Sequence, residues 1–304
     1  MATRMKTVGF LACETTLPLP FGGIGERRGD AFEHDLMIAA LAPAFEAAGL
    51  NLKVIDWEAH IADFAGVDLV LLGTSWNYQD KADAFLARLD ELAAIGIKVC
   101  NPPDLVRWNI QKTYLRDLAE QGAATIPTLW LTDVGLSDVE EAFKAFECDR
   151  LVVKRQVGAG ALGQVLIHRD DLPDPAWRFG HPAMVQPFLP AIAEEGELSF
   201  IFIDGELSHA LVKRPASGDY RIQSLYGGVE TAFEPDAGQT AAASAILDAL
   251  PFETPLYARI DMLRAQDNRL MVMEAEMIEP YLYPVQGPQL GERLARGIGK
   301  RLDR

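Results

Sequence analysis

The chain has 304 residues, of which 49% are hydrophobic and 24% charged, so it can bury a large core and is no disordered polymer. Forty-four acidic side chains against 28 basic ones give a formal charge of -16, which repels a polyphosphate backbone and argues against nucleic acid as a partner. Any polyanion that binds must therefore meet a local cationic pocket or a metal ion.

In chain order, Val8 to Ala12 reads as a short buried strand. The apolar run there is ended by Glu14, too short for a signal-peptide core, and no long apolar segment follows. Cys13, Cys100 and Cys148 are far apart and form no C-x-x-C pair. They read as reduced thiols, and the expectation is a cytoplasmic protein with no membrane partner. Ala31 to Ala48 is predicted as a helix stopped by Gly49, Leu52 to Ile55 and Val67 to Leu72 as strands, Lys81 to Ile95 as a helix stopped by Gly96, and Ile97 to Cys100 as a strand. Strands alternating with helices predict a parallel sheet covered on both faces.

Asn101-Pro102-Pro103 interrupts this pattern and predicts a domain boundary, with residues 1–101 forming the first domain. A helix follows over Lys112 to Glu120, then a strand near Leu129 and a helix near Ser137 to Phe146. Hairpins dominate thereafter. Leu151 to Gln156 leads through a glycine loop into Gln164 to His168. Leu198 to Ile203 and Leu207 to Val212 flank the turn Asp204-Gly205, and Tyr257 to Leu263 and Leu270 to Met277 flank Asp267-Asn268. The fold class expected is α/β followed by α+β.

The last hairpin carries the sharpest pattern. Arg259 and Asp261 share one face of a strand, and Glu274 and Glu276 share one face of the next. If Asp267-Asn268 is a two-residue turn, Asp261 lies opposite Glu274 and Arg259 opposite Glu276. Like charges placed opposite each other destabilise a sheet unless something neutralises them. A divalent cation held by carboxylates would do so, and Arg259 could then grip a phosphate. A solvent-facing acidic strand is the plainer alternative. Ile260, Met262, Met273 and Met277 mark the opposite face as core.

Gly158, Gly160 and Gly163 free the backbone of the loop after Lys154 to approach a ligand, although an ordinary hairpin loop would also use them. Lys154 lies in a Val-rich strand and needs an outlet such as a phosphate, unless it merely guards a sheet edge. Lys112, Lys213 and Arg214 read equally as surface charge. MVQPFLP is an apolar strand running into proline, as a hinge between lobes or a buried strand end would be.

Taken together and in this order, these segments resemble the ATP-grasp superfamily, in particular its D-alanine–D-alanine ligase and glutathione synthetase branch. There an R-x-D strand precedes an E-x-N/E strand with thirteen residues from Asp to Glu, the spacing of Asp261 and Glu274. The resemblance implies ATP as the nucleotide with Mg²⁺, or Mn²⁺, as the metal. It implies an N-terminal Rossmann-like domain over 1–101 on the substrate side, a small lobe over 102–185, and a large lobe over 186–304 with the metal site. Lys112 and Lys154 look like the nucleotide lysines, Gly158 to Gly163 like the lid, Gln186 and Phe188 like the adenine hinge, and Glu194 or Glu197 like the ribose carboxylate. Asp261, Glu274 and Glu276 look like metal ligands, and Arg259 with Lys213 like the γ-phosphate cations.

The strings NPPDLVRWNIQKTYL, VQPFLPAIAEEGELSFIF, SHALVKRPASGDYRIQ and MEAEMIEP are similar to the branch that includes the cycloserine-forming ligase. In that branch Arg221 and Ser75, Trp76, Asn77 and Tyr78 would approach the substrate. Four departures stand out: Glu276 replaces an Asn, Gln186 replaces a Glu, Arg155 stands where K-P is frequent, and Asn77 stands where relatives often carry Asp. The function implied is an ADP-forming ligase or cyclo-ligase. It would phosphorylate a carboxylate or ureido group of a small amino-acid-like substrate, which an amine then attacks. The alternatives are a nucleotide-binding regulatory protein of the same fold and a kinase that releases the phosphorylated product. Homodimerisation through the first domain is an expectation from relatives.

Overall fold

The computed structural model describes residues 4–18, 26–158, 163–216, 222 and 227–303. Its first sheet is parallel, in the order β2-β1-β3-β4, built from β1 (Lys6–Ala12), β2 (Leu50–Asp56), β3 (Leu69–Thr74) and β4 (Lys98–Cys100). The helices α1 (Phe32–Ala47) and α2 (Ala82–Ala94) connect its strands. Both helices end where the sequence predicts, with Gly49 and Gly96 at positive φ just beyond them.

Two antiparallel sheets follow. The four-stranded one has the order β5-β8-β6-β7, from β5 (Leu129–Leu131), β6 (Arg150–Arg155), β7 (Val165–His168) and β8 (Ala183–Pro187), with α5 (Leu136–Phe146) against it. The five-stranded one has the order β11-β10-β9-β12-β13. Its strands are β9 (Glu197–Ile203), β10 (Glu206–Arg214), β11 (Val229–Phe233), β12 (Tyr257–Arg264) and β13 (Leu270–Glu276). Around it lie α3 (Pro103–Asn109), α4 (Tyr114–Glu120), the short α6 (Ala191–Glu194), α7 (Ala237–Asp248) and α8 (Leu290–Leu302).

The two prolines after Asn101 do not simply break the chain. Pro102 caps α3 and Pro103 opens it, where a missing N–H costs nothing. Four of the described helices, α3, α6, α7 and α8, have no counterpart among the predicted elements. Of these, α8 packs its apolar side on α1, and the carbonyl of Ala40 lies 2.5 Å from where a Cβ on Gly291 would be, so only glycine fits that crossing. Leu290, Leu294 and Ile298 thereby share one core with Val8 and Phe10 of the first sheet, with Leu41 of α1 and with Ile201 and Leu211 of the five-stranded sheet.

The acidic hairpin has the expected pairing for a different reason. Its loop encloses three residues, Gln266, Asp267 and Asn268, closed by a 2.8 Å bond from Ala265 N–H to Arg269 C=O, with Asn268 at φ 73°. That shifts the register by one residue, and a bulge between Asp261 and Met262 shifts it back. Arg259 thus faces Glu276, and Asp261 faces Glu274, as the sequence predicts. The residue absorbed by the bulge is Met273, which corrects the expectation that it faces the core. It lines the cleft, while Ile260, Met262 and Met277 are buried on the other side.

β13 lies at the edge of its sheet, yet its free side is hydrogen-bonded. Ala275 N–H donates to Tyr114 Oη at 2.9 Å, Asn109 Nδ2 donates to Ala275 C=O at 2.8 Å, and Met277 N–H donates to Asn109 Oδ1 at 3.0 Å. Asn101, fully buried, donates to the carbonyls of Tyr257 and Met277 and accepts from Leu256 N–H at 2.7 Å. The strands that carry the acids are therefore clamped to the helices and to the first sheet, with no open edge to slip or aggregate.

Candidate active site

Between the two antiparallel sheets opens a cleft of about 550 Å³, whose lining includes Lys154, Gln186, Phe188, Glu197, Leu263 and Met273. Alternate residues of the five-stranded sheet face it: Lys213 on β10, Glu197 and Ser199 on β9, Arg259 and Asp261 on β12, and Glu274 and Glu276 on β13. The acidic face predicted by the sequence is thus a buried one, with Asp261 only 1% exposed.

Charges along this row are matched pairwise. Arg259 Nε lies 3.0 Å from Asp261 Oδ2 and its Nη2 2.5 Å from Glu276 Oε1. Lys213 Nζ pairs with Glu197 Oε1 and lies 3.3 Å from Asp261 Oδ1, to which Ser199 Oγ donates at 2.5 Å. Lys112, on the loop between α3 and α4, pairs with Glu274. Burial opposes the Asp261 charge, but Arg259 and Lys213 outweigh it and hold the carboxyl below its ordinary range. Burial pushes Glu276 up to about 7 despite Arg259, with Glu274 adding to the shift. Burial also raises Glu197 to about 7 despite Lys213. Among the described residues, no donor is aligned for a hydrogen bond to either Glu197 oxygen.

Lys154 differs from these cations. It lies on β6, half-buried, and among the described residues no carboxylate is within ion-pair distance of it. Burial lowers its pKa. Gly158 and Gly163 flank the loop beyond it at φ 148° and 71°, backbone that only glycine takes freely. Gly160 and Arg221 lie outside the described residues.

The hinge residues line the cleft with their donors already committed. Gln186 Nε2 donates to Thr128 Oγ1 at 2.9 Å. Phe188 N–H donates to Arg150 C=O at 2.9 Å, and its ring lies 4.1 Å from the Arg150 guanidinium. Of the two ribose candidates, Glu197 is fully buried in the cleft wall, whereas Glu194 is exposed at the end of α6.

The segment Ser75 to Tyr78 follows β3 and reaches the same site from the first sheet. Trp76 Nε1 donates to the backbone carbonyl of Glu279 at 3.1 Å, and the Tyr78 hydroxyl bonds the Glu279 side chain. Burial lifts Glu279 to about 8, with Glu276 as the next cause. Ser75 is turned away: its hydroxyl donates to Leu72 C=O at 2.8 Å. Asn77 accepts from Trp57 Nε1 at 2.6 Å and donates to Glu58 Oε2 at 3.0 Å. An Asp at this position would face the Glu58 carboxylate, so the amide suits its neighbours.

Hard carboxylate oxygens on adjacent strands are the donor chemistry Mg²⁺ takes, so the residues fit that ion. Yet Asp261, Glu274 and Glu276 each turn to a cation, and among the described residues no three potential ligands converge. The ion pairs must open before these oxygens can share one centre.

Comparison with known proteins places this architecture. A crystal structure of D-cycloserine synthetase DcsG superposes with a TM-score of 0.78 at 24% identity, covering 97% of this chain and 99% of that one. The ATP-grasp ligase PsnB, complexed with a phosphomimetic precursor variant, Mg and ADP, superposes at 0.66, and D-alanine–D-alanine ligase from Bacillus anthracis with ATP at 0.63. Both cover 98% of this chain, at 15% and 16% identity respectively.

The chain has the ATP-grasp fold.

In sequence, residues 8–101 match the family described as D-cycloserine synthetase DcsG, N-terminal domain. The cycloserine biosynthesis protein DcsG of Streptomyces lavendulae is 29% identical over 88% of this chain and 94% of its own length. A glutathione synthetase of Parasynechococcus marenigrum is 25% identical over 71% and 70%. The ATP-grasp resemblance stated from the sequence is therefore borne out. Among the described residues no helix is long and apolar enough to cross a membrane.

Some site residues escaped the sequence. Ser199 was legible as the residue two beyond Glu197 on one strand face. Glu230, on β11 and opposite Lys213, belongs to a strand with no periodic signal. Glu279 lies within a quoted string, but nothing in its spacing marked it as buried.

Proposed function

We propose that this ATP-grasp ligase uses Mg-ATP to phosphorylate a carboxylate or ureido group of a small amino-acid-like substrate, which an amine then attacks. What supports this reading most is the convergence of Lys112, Lys154, Lys213 and Arg259 on one cleft in a protein of net charge -16. Such an arrangement suits a polyanion and little else. The likeness in sequence to DcsG and to glutathione synthetase agrees with it.

In this reading residues 1–101 offer the substrate side, 102–185 the small lobe and 186–304 the large lobe. Adenine fits the apolar end of the cleft, where the Leu189 N–H makes no hydrogen bond among the described residues and takes the hinge contact that Phe188 cannot. Glu197, whose Oε1 pairs with Lys213 and whose Oε2 has no hydrogen-bond donor among the described residues, accepts from the ribose hydroxyls. Lys112 and Lys154 hold the inner phosphates. Arg259 and Lys213 stabilise the charge that develops on the terminal phosphoryl group as it passes to the substrate oxygen. Mg²⁺ held by Asp261, Glu274 and Glu276 would supply further neutralisation of the phosphates. In the second step the amine forms a C–N bond, the C–O bond to phosphate breaks, and the amine proton leaves to solvent. Buried walls exclude the water that would otherwise hydrolyse the activated group. A retired nucleotide sensor would have no use for so many carboxylates held together on one buried face, which favours turnover.

The test is ADP release from Mg-ATP against a panel of amino acids, ureido- and aminooxy-serines and amine acceptors. Glu274→Gln is expected to lower substrate-dependent release by at least about a thousandfold while shifting stability by no more than about 1 kcal/mol. Undiminished release in that variant would sink the metal assignment. A phosphorylated product released intact would identify a kinase.

A further inference from the structure

The two cations proposed for the terminal phosphate share a support that no motif announces. Tyr283 follows β13 on the segment leading to α8 and is 6% exposed. Its ring centroid lies 5.7 Å from Lys213 Nζ and 5.7 Å from Arg259 Cζ. Its backbone has φ 49°, left-handed conformation that a bulky aromatic residue avoids unless its surroundings impose it.

Those surroundings are built for the purpose. The N–H groups of Gln286 and Gly287 both donate to the Tyr283 carbonyl, at 3.1 and 3.0 Å. The Tyr281 ring meets Tyr283 edge to face at 4.6 Å, and Arg259 Nη1 donates to Tyr281 C=O at 3.2 Å. On the other side His209 Nε2 donates to Leu282 C=O at 3.0 Å while Ser208 Oγ lies 3.0 Å from its Nδ1. Burial lowers His209 to about 4, so it is neutral near pH 7 and can donate from one nitrogen while accepting at the other. A Cβ on Gly287 would lie 2.2 Å from the His209 ring, so the turn closes over that histidine only with glycine.

We propose that Tyr283 is a positioning residue whose ring face holds Lys213 and Arg259 toward the terminal phosphate. The inference rests on the assignment of those two cations under the proposed function. Both are also held by Asp261, but that carboxylate is one a metal ion would claim, and its charge competes with phosphate for the same cations. An aromatic face attracts cations through its quadrupole, binds no Mg²⁺ and brings no net charge to repel the phosphate. It therefore keeps the cations in place when Asp261 turns away. The strained backbone sets the ring at that position, and the His209 and Gly287 contacts hold the strain.

The test compares Tyr283→Leu, which keeps apolar bulk without a ring face, with Tyr283→Phe, which keeps the ring. Affinities of the full chain for Mg-ADP and for Mg with a non-hydrolysable ATP analogue are measured by calorimetry. Tyr283→Leu is expected to cut the triphosphate-over-diphosphate preference about tenfold, with ADP affinity within about twofold of wild type and Tyr283→Phe near normal. A leucine variant that melts lower but keeps the wild-type preference shows a packing role and overturns the proposal. Should that variant fail to fold, Tyr283→Asn, which accepts the left-handed backbone, carries the same comparison. A wild-type protein that binds neither nucleotide overturns the nucleotide reading, and this inference with it. A wild type that binds both, with an unaltered variant preference, overturns this inference alone.

Discussion

Lys213 and Arg259 on the five-stranded sheet each contact two carboxylates, whereas Lys154 on the four-stranded sheet contacts none among the described residues. The first wall of the cleft is neutralised in advance by ions that belong to the protein. The second holds a desolvated charge with no carboxylate partner among the described residues. A cation already matched costs less to bury than a bare one but must be released from its carboxylate to serve a ligand. An unmatched one is ready for a phosphate and is held at a cost in stability. The two walls thus divide the work. The five-stranded sheet stores charge in pairs that binding would rearrange, and the four-stranded sheet offers a bare charge that binding would satisfy.

The largest expected effect breaks the paired wall. Asp261→Asn keeps the shape but removes the carboxylate that both Lys213 and Arg259 share, leaving buried cations under-compensated. It is expected to cost about 3 kcal/mol of folding stability, read as a lower urea midpoint at unchanged slope. A loss below about 1 kcal/mol would mean that Glu197 and Glu276 suffice, and that the shared carboxylate is not the keystone of the row.

This row was legible in the sequence because strand periodicity places alternate residues on one face, whatever the turn. The pairing of Asp261 with Glu274 came out as predicted even though the loop has three residues and not two, since the bulge at Met273 compensates. The turn was misjudged because Asp267-Asn268 is equally at home in either loop, and the choice depends on where the strand can bulge. The Asp204-Gly205 turn, by contrast, has both residues at positive φ, as a two-residue hairpin requires. The ion pairs were not legible. Arg259 and Lys213 were placed at a phosphate, but their partners depend on neighbours brought together from β9, β10, β12 and β13. Lys112 was in view as a nucleotide lysine, yet its pairing with Glu274 spans most of the chain. The helix α8 was missed because its short apolar stripe makes sense only against α1.

A smaller effect sharpens the comparison through pH. Burial and Glu276 raise Glu279 from 4.5 to about 8 in the folded protein, so the folded state binds a proton over a range in which the unfolded chain has lost it. Stability from this group is therefore present below about pH 4.5 and is lost as pH rises toward about 8. Metal-free protein unfolded in urea across that window is expected to show the decline, and Glu279→Gln to flatten it. A parallel decline in the variant would assign the titration to Glu197 or Glu276 instead.

The smallest effect concerns the unpaired wall and has the opposite sign from the first. Lys154→Met keeps most of the side-chain length and removes a charge whose burial is opposed by its surroundings. Because burial lowers the folded pKa of Lys154, the charge penalises folding at low pH, and the penalty fades as pH rises toward the ordinary value of 10.5. Lys154→Met is thus expected to be as stable as wild type or up to about 1 kcal/mol more stable near neutral pH, with the gap narrowing in alkaline buffer. The same change is expected to weaken Mg-ADP binding by about ten- to a hundredfold, since a charge-assisted phosphate contact is lost. Calorimetry and urea unfolding on the one variant read both quantities. Stability and affinity falling together would show that Lys154 is a packed structural residue. Stability held or raised while affinity falls would show a charge kept unpaired so that a ligand can pair with it.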